Sequence, residues 1–284
     1  MKTEYVNGSK LSLVNDGALE IVPIGVGSML SEKHFNTNYL VIKGGTHILV
    51  DCGRTAPEAL AKLGLRLTDI TTILPTHAHD DHVGGIGSLC IANRYIGQPK
   101  LGKPKLTMIS HAIFAKHLWR DYLALGLAGN ERANKTSDGG LHFNDYFNLE
   151  MPEFVSLEYR ETSIIDYQGI DIRTFCTMHT PSTAESWMDS VWSIGLLIDE
   201  RVFISGDTRF DLELIRTYSG QSEVMFQDAS LCRDPVHASI DDLRTLPEET
   251  RRKMHLVHYG DNFEDVPVPE FAGYAKQGVR YIFE

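Results

Sequence analysis

The sequence has few cysteines, and they are not arranged to bind a metal or to form a disulfide framework. Its four cysteines, Cys52, Cys90, Cys176 and Cys232, lie far apart and include no Cys-x-x-Cys pair. This argues against a structural zinc knot and against a small domain held together by disulfides. Free thiols spread in this way fit a reducing compartment, so we expect a cytoplasmic protein.

Long apolar runs are missing as well. No stretch of about 18 apolar residues, the length that crosses a bilayer, occurs in the sequence. Residues 1–16 alternate polar and apolar side chains and lack the apolar centre of a signal peptide. We therefore expect neither a membrane segment nor secretion. With 42% hydrophobic residues in 284, we predict one globular domain spanning 1–284.

Positive charge is scarce. The 27 Lys and Arg face 38 Asp and Glu, and the net charge of −11 disfavours binding to nucleic acid or to an anionic membrane. Residues 83–120 depart from this balance, because they contain six basic side chains and no acidic one. That stretch predicts a solvated face, a subunit contact or a phosphate contact. The sequence leaves a homodimer open.

What the sequence does contain is a dense group of metal-binding side chains in residues 76–82, read THAHDDH. The group follows an apolar, β-branched run at 70–74, which predicts a buried strand. Imidazole nitrogens and carboxylate oxygens together predict a divalent cation, with zinc preferred and manganese or iron as alternatives.

The spacing within this group predicts two metal positions. His77 and His79 are two residues apart on extended chain, so their side chains point the same way and can bind one ion. Asp81 and His82 lie beyond the bend and should face a second position. The alternative is a solvated polar turn that contains these histidines by chance, but such a turn would not explain three imidazoles and two carboxylates at this spacing.

The pattern His77-x-His79-x-Asp81-His82, followed by Gly84, resembles the signature of the metallo-β-lactamase superfamily. The resemblance implies an α/β fold, an αββα sandwich of two mixed sheets flanked by helices. It also implies a complete ligand set. The first ion would be held by His77, His79 and His179, the second by Asp81, His82 and His258, with Asp207 bridging both.

Two such ions, roughly 3.5 to 4 Å apart, can share a hydroxide that attacks the substrate. The aspartate bridge implies a hydrolytic branch that acts on phosphodiesters, thioesters or lactones. The segments 35–41, 193–195 and 205–208 resemble ribonuclease Z and the class II cyclic-nucleotide phosphodiesterases, including phage enzymes that degrade cyclic nucleotides. We therefore predict a metal-dependent phosphodiesterase.

Two departures separate the chain from ribonuclease Z. Where that enzyme has His-Glu-Ala-Thr, with a histidine that assists protonation of the leaving group, this chain reads Gln227-Asp228-Ala229-Ser230. The long basic substrate arm is also hard to find. We therefore predict that the substrate is a small phosphodiester, above all a cyclic mononucleotide. The catalytic candidates are Asp81, His82 and Asp228, the last either as a proton donor or as a structural hydrogen-bonding residue near the metals.

Other functions stay open at this stage. The same ligand set would serve a lactonase, a thioesterase of the glyoxalase II kind or ribonuclease Z-like RNA processing, and a metal sensor without catalysis is a further alternative. Two structural expectations also follow. The Gly-, Asn- and Ser-rich stretch 126–148 predicts an inserted loop or lid whose Phe143 and Tyr146 stack on a base, and 269–277 predicts a closing helix.

Overall fold

The structure, a computed structural model, describes residues 1–6, 10–131, 140–157 and 159–284. Within these ranges sixteen strands form two eight-stranded sheets. In spatial order, the first sheet contains β1 (Lys2–Tyr5), β16 (Val279–Phe283), β2 (Leu19–Gly25), β3 (Asn38–Lys43), β4 (Thr46–Val50), β5 (Thr72–Leu74), β6 (Leu106–Ile109) and β7 (Phe147–Glu150). The second contains β15 (Gly273–Tyr274), β14 (Met254–Val257), β13 (Val224–Asp228), β12 (Val202–Ile204), β11 (Ile194–Ile198), β10 (Ile170–Cys176), β9 (Thr162–Tyr167) and β8 (Glu153–Ser156).

Short helices lie between these strands. The α-helices of the described residues are α1 (Ala56–Lys62), α2 (Asp80–Val83), α3 (Ile86–Ala92), α4 (Gln98–Leu101), α5 (Ala112–Leu118), α6 (Ala124–Leu127), α7 (Phe143–Tyr146), α8 (Leu212–Ser219), α9 (Ile240–Leu243) and α10 (Glu248–Arg251). Wider π-helical turns at Asn93–Gly97 and Trp119–Leu123 continue α3 and α5. Single 3₁₀ turns occur at Leu67–Asp69, Ala128–Glu131, Trp187–Asp189 and Phe263–Asp265.

Three apolar clusters define the layers. The central cluster lies between the two sheets, where Ile21 and Val41 of the first sheet meet Leu196 and Phe226 of the second. A second cluster packs α1, α3 and α5 on the outer face of the first sheet, and a third packs α8 and α9 on the outer face of the second. This is the αββα sandwich that the sequence resemblance predicts.

Strand direction brings the chain's polar segments to one end of the sandwich. In the first sheet β4 and β5 run parallel, and in the second sheet β12, β13 and β14 run parallel, with β10 in the same direction as β12. The carboxyl ends of parallel strands meet at one edge, so the loops that follow them converge there. Backbone contacts join the two sheets at this end. The His258 N–H donates to the Val26 carbonyl at 2.8 Å, and a bridge pairs His77 with Ser193.

The structure contradicts the predicted helix at 269–277 and describes only part of the predicted insertion at 126–148. The predicted closing helix at 269–277 is wrong, because the chain forms β15 there, and Gly273 has a φ of 118° that a helix does not accommodate. The predicted insertion at 126–148 contains α7 and the start of β7, which pairs with β6 in parallel. Its centre, 132–139, lies outside the described residues, so the lid stays a prediction.

None of the helices in the described part of the chain has the length and apolar composition needed to span a membrane.

Close backbone packing behind the converging loops generates a first prediction. A Cβ on Gly53 would lie 1.8 Å from the Asp81 carbonyl oxygen, so Gly53→Ala must displace the Asp81 backbone. We expect a loss of about 1–3 kcal/mol in the free energy of unfolding, measured by urea denaturation in the presence of a chelator. Gly87→Ala is the matched control, because no atom lies within 4 Å of its added Cβ inside α3. Equal stability of the two variants would contradict the packing described here.

Candidate metal centre

Seven of the side chains singled out in the sequence meet at the converging loops. The loop after β5 carries His77 and His79 and leads into α2, which begins at Asp80 and carries Asp81 and His82. The other three, His179, Asp207 and His258, follow β10, β12 and β14. The seven form two groups that share Asp207, and the candidate ligand atoms within each group lie within 4.8 Å of one another.

The first group consists of three imidazoles and a carboxylate. His79 Nδ1 lies 3.1 Å from His77 Nε2 and 3.1 Å from His179 Nε2. Asp207 Oδ2 is 3.8 Å from the nitrogens of both His77 and His179. Ligand atoms bound to one tetrahedral zinc lie roughly 3.2 Å apart, so the spacing of the three nitrogens matches a common ion.

The second group is fully buried. His258 Nε2 lies 3.1 Å from Asp81 Oδ2 and 3.4 Å from Asp207 Oδ2. His82 Nε2 lies 3.3 Å from Asp207 Oδ2 and 3.4 Å from Asp81 Oδ2. Asp207 therefore faces both groups, as a bridging carboxylate would.

Hydrogen bonds on the far side of the rings orient these histidines. His179 Nδ1 donates to the Val236 carbonyl at 2.9 Å, which leaves its Nε2 with a lone pair directed into the first group. His82 Nδ1 donates to Asp51 Oδ2 at 2.7 Å. Asp51 also accepts from the backbone N–H of Thr76 at 2.7 Å and from its hydroxyl at 2.8 Å. One buried carboxylate thus fixes both ends of the THAHDDH loop.

Unpaired buried atoms show that the two groups fit a cation. Among the described residues, His82 Nε2 and Asp81 Oδ1 are buried polar atoms without a hydrogen-bond partner. Leaving such atoms unpaired costs about 1–3 kcal/mol each, and a bound cation would satisfy the lone pair of His82 Nε2. Together with the nitrogen spacing of the first group, this makes divalent metal binding the natural reading of the site.

The protonation pattern of the groups supports the same reading. Burial lowers the pKa of His77 well below its ordinary value, so this ring is neutral and can bind an ion. Burial opposes the charge of Asp207, but His258 and His82 outweigh it and keep the pKa of Asp207 well below its usual range. In return, Asp207 raises the pKa of His82 despite burial. A cation in the second group would displace protons from these rings, so binding should weaken as the pH falls.

A third group consists of Asp228, His237 and His258, of which His237 is not among the residues predicted from the sequence. His237 Nδ1 lies 2.8 Å from Asp228 Oδ2, and its ring stacks on His258 with centroids 4.6 Å apart. Asp228 is buried and also accepts from the Thr208 N–H at 2.9 Å. Both contacts are to Oδ2, and among the described residues Asp228 Oδ1 has no hydrogen-bond partner, so Asp228 as a proton donor stays a prediction. The His237 side chain is 17% exposed, whereas that of Asp228 is 1% exposed.

The two aromatic candidates for substrate contact lie elsewhere. Tyr146 is 1% exposed, and its hydroxyl donates to the Leu127 carbonyl at 3.1 Å. Phe143 is half-buried and packs on Phe147, with ring centroids 5.0 Å apart, beside Trp119. Both rings belong to the core under β7. The burial of Tyr146 and the packing of Phe143 argue against the prediction that these rings stack on a base.

Comparison with known proteins places the chain among metallo-β-lactamase folds. The model of the family described as "Anti-Pycsar protein Apyc1" matches residues 19–281. An Anti-Pycsar protein Apyc1 of Bacillus phage 010DV004 is 32% identical over 269 residues, which cover 93% of this chain and 98% of the relative.

Solved structures with the same fold are more distant in sequence. The metallo-β-lactamase fold protein YhfI from Bacillus subtilis superposes with a TM-score of 0.66 at 15% identity and covers 93% of this chain and 99% of its own. The short form of human tRNase Z superposes with a TM-score of 0.62 at 16% identity, with the same coverage of 93% and 99%. These likenesses confirm the fold.

The two groups predict the metal stoichiometry. We expect reconstituted protein to bind two divalent ions per chain, measured by elemental analysis, and the double variant Asp81→Ala, His82→Ala to bind at most one, since the second group then loses half its ligands. His142→Ala, a histidine outside the groups, should keep two. Near-UV circular dichroism checks that each variant is folded. A wild-type stoichiometry that never exceeds one would contradict the two-group arrangement.

Proposed function

This chain belongs to the Anti-Pycsar protein Apyc1 family, and from that membership we propose that it is a metal-dependent phosphodiesterase that hydrolyses small phosphodiesters, cyclic mononucleotides above all. Cyclic nucleotides are the substrate class that the sequence resemblance already implies. The observation that carries the proposal is the pair of ligand groups joined by Asp207. Two ions held by one carboxylate can bind two oxygens of a single phosphate group.

The two groups indicate which residues would hold the ions. His77, His79 and His179 would hold one ion, Asp81, His82 and His258 the other, and Asp207 both. Zinc suits this mixture of nitrogen and oxygen donors best, with manganese or iron as alternatives. When bound, two such ions supply a nucleophile at neutral pH by lowering the pKa of water, and they neutralise charge on the phosphate.

Protonation of the leaving oxygen falls to His237. Burial alone would lower the pKa of His237, but Asp228 outweighs it and raises that pKa to about 10. The imidazole Nδ1 is engaged by Asp228, so Nε2 is the atom that can carry a proton to the leaving group. Asp228, fixed by the Thr208 N–H, holds the ring in this orientation. The pair therefore performs the role that the missing His-Glu-Ala-Thr histidine would have had.

The charges favour a small substrate over a folded RNA. Of the six cations in 83–120, Arg94 pairs with Glu131 at 2.8 Å, Arg120 pairs with Asp121, and Lys105 donates to the Asn144 carbonyl at 2.7 Å. With a net charge of −11, few cations remain to contact a phosphate backbone. A cyclic mononucleotide carries one phosphate, which two bound ions would be enough to hold. We also propose the cytoplasm as the compartment, in keeping with free thiols at all four cysteines.

A substrate panel tests the proposed function. We expect metal-loaded protein to open cyclic mononucleotides to linear monophosphates with weak salt dependence, because few phosphate contacts release few counterions. Pre-tRNA, acyl-homoserine lactones and lactoyl-glutathione should be cleaved poorly or not at all. Product formation is measured by chromatography at several salt concentrations. Efficient trimming of pre-tRNA 3′ ends, or turnover of the lactone or thioester without any cyclic nucleotide, would overturn the proposal.

The leaving group tests the role of His237. His237→Ala should lower kcat for a cyclic mononucleotide about 10²- to 10⁴-fold, because its alkoxide leaving group needs a proton. The same variant should cleave bis(p-nitrophenyl) phosphate nearly as fast as wild type, since p-nitrophenolate leaves without one.

His142→Ala, the same substitution at an exposed histidine outside the metal groups, serves as the control with both substrates near wild type. Metal content is measured for each variant, because the His237 ring also stacks on His258. Equal losses on the two substrates at full metal content would show that His237 is not the proton donor.

A further inference from the structure

An apolar cavity lies against the wall of the metal centre. It has a volume of about 360 Å³ and is lined by Ala78, Ile113, His117, Tyr122, Val191 and Trp192, among others. Ala78 stands between His77 and His79 in the ligand-bearing loop, so one loop contributes both to the metal centre and to this cavity.

Of the three Phe, Tyr and Trp rings that line the cavity, Phe114 belongs to the core, and the other two are tied to the ligand-bearing segments. The Tyr122 hydroxyl donates to Asp80 Oδ1 at 2.7 Å, and Asp80 lies between His79 and Asp81. Trp192 directly precedes Ser193, which forms the backbone bridge with His77. The positions of the two rings are therefore coupled to the position of the phosphate that the ions would bind.

The cavity is apolar but open to water. Ile113 is 76% exposed and Val191 is 59% exposed, although both are large aliphatic side chains. Covering apolar surface of this kind with a planar ring is favourable, because it removes that surface from water. Polar groups occur at the edge, where His117 Nδ1 lies 3.1 Å from Asp121 Oδ2.

We propose that this cavity, the base pocket, binds the nucleobase of the substrate, an inference that rests on the proposed function. Its volume falls within the range of pockets for small ligands. The faces of Tyr122 and Trp192 are suited to stacking on a planar ring, and such stacking tolerates different bases because every base has a π face. The two ions recognise only phosphate, so recognition of the base requires side chains outside the metal groups.

A second cavity on the other side of the centre fits the base less well. It has a volume of about 320 Å³ and is lined by His237, His258, Met29, Leu231 and Asp234, among others. No Phe, Tyr or Trp is among the described residues that line it. It contains the proposed proton donor, so we assign it to the leaving oxygen and solvent.

Removal of the Tyr122 ring tests the base pocket. Tyr122→Ala should lower kcat/KM for adenosine and cytidine 3′,5′-cyclic monophosphates about 10- to 100-fold, the loss of one stacking contact. It should change kcat/KM less than twofold for 1-deoxyribose 3′,5′-cyclic phosphate, which has the same diester and no base. Leu125→Ala is the matched control, because Leu125 is 99% exposed in α6 and does not line the cavity. Tyr122→Phe keeps the ring and removes only its hydrogen bond to Asp80, so it should retain the preference for base-bearing over baseless substrate that Tyr122→Ala loses.

A binding measurement separates this inference from the proposed function. Calorimetry with metal-loaded protein should show that Tyr122→Ala weakens binding of adenosine 5′-monophosphate and leaves binding of ribose 5-phosphate unchanged. That result would support the base pocket even if wild-type protein hydrolysed no cyclic nucleotide, in which case the proposed function alone would fall.

Three results would overturn the base pocket. Equal losses on the base-bearing and baseless substrates would mean that Tyr122 acts through Asp80 on the metal centre. No loss on either would place the base elsewhere. A changed molecular mass by light scattering without a change in kcat/KM would identify this face as a contact between copies of the chain.

Discussion

The structure depends on holding seven buried side chains with their lone pairs facing one small volume. Two of the seven are carboxylates, and Asp207 faces four imidazoles. Burying a charged group without a partner costs several kcal/mol, even after the surrounding protein relaxes. Without a cation, protons on His82 and His258 partly offset the charge of Asp207 and Asp81. Divalent ions offset it fully, so metal affinity and folding stability are linked in this molecule.

The backbone around the centre is held in conformations that the local sequence does not favour. Asp51 and His258 adopt φ values of 61° and 60°, and a non-glycine residue in this left-handed region costs about 1–3 kcal/mol. Backbone hydrogen bonds to adjacent strands hold both residues in these conformations. The Asp51 N–H donates to the Leu74 carbonyl at 3.0 Å, and the His258 N–H donates to the Val26 carbonyl at 2.8 Å. The sheets therefore impose the strain, and the strained residues direct their side chains into the centre.

Features coded within a few residues were predictable from the sequence, and features made by distant contacts were not. The THAHDDH loop follows a strand by local pattern alone, and the family resemblance supplied the more distant candidates. His237 was missed because its partner Asp228 lies nine residues away in β13, and Gln227 marks only the site of the absent histidine. The sequence did contain turn- and cap-forming residues on either side of His237, Asp234 and Ser239. In the structure Asp234 Oδ1 accepts from the His237 N–H at 3.0 Å, and Ser239 caps α9, so the loop that holds His237 is well fixed.

The arrangement of the centre separates chemistry from recognition. Bound ions and His237, in the role proposed for it, would act on atoms that every 3′,5′-cyclic nucleotide has, so changes around them should alter kcat for all bases alike. Contacts to the base are the same in the ground state and the transition state, because the base does not react. They lower KM without raising kcat, and they matter only while the substrate is dilute. A base pocket whose Tyr122 and Trp192 rings adjoin the ligand-bearing loops would suit an enzyme that acts on a dilute substrate and accepts more than one base.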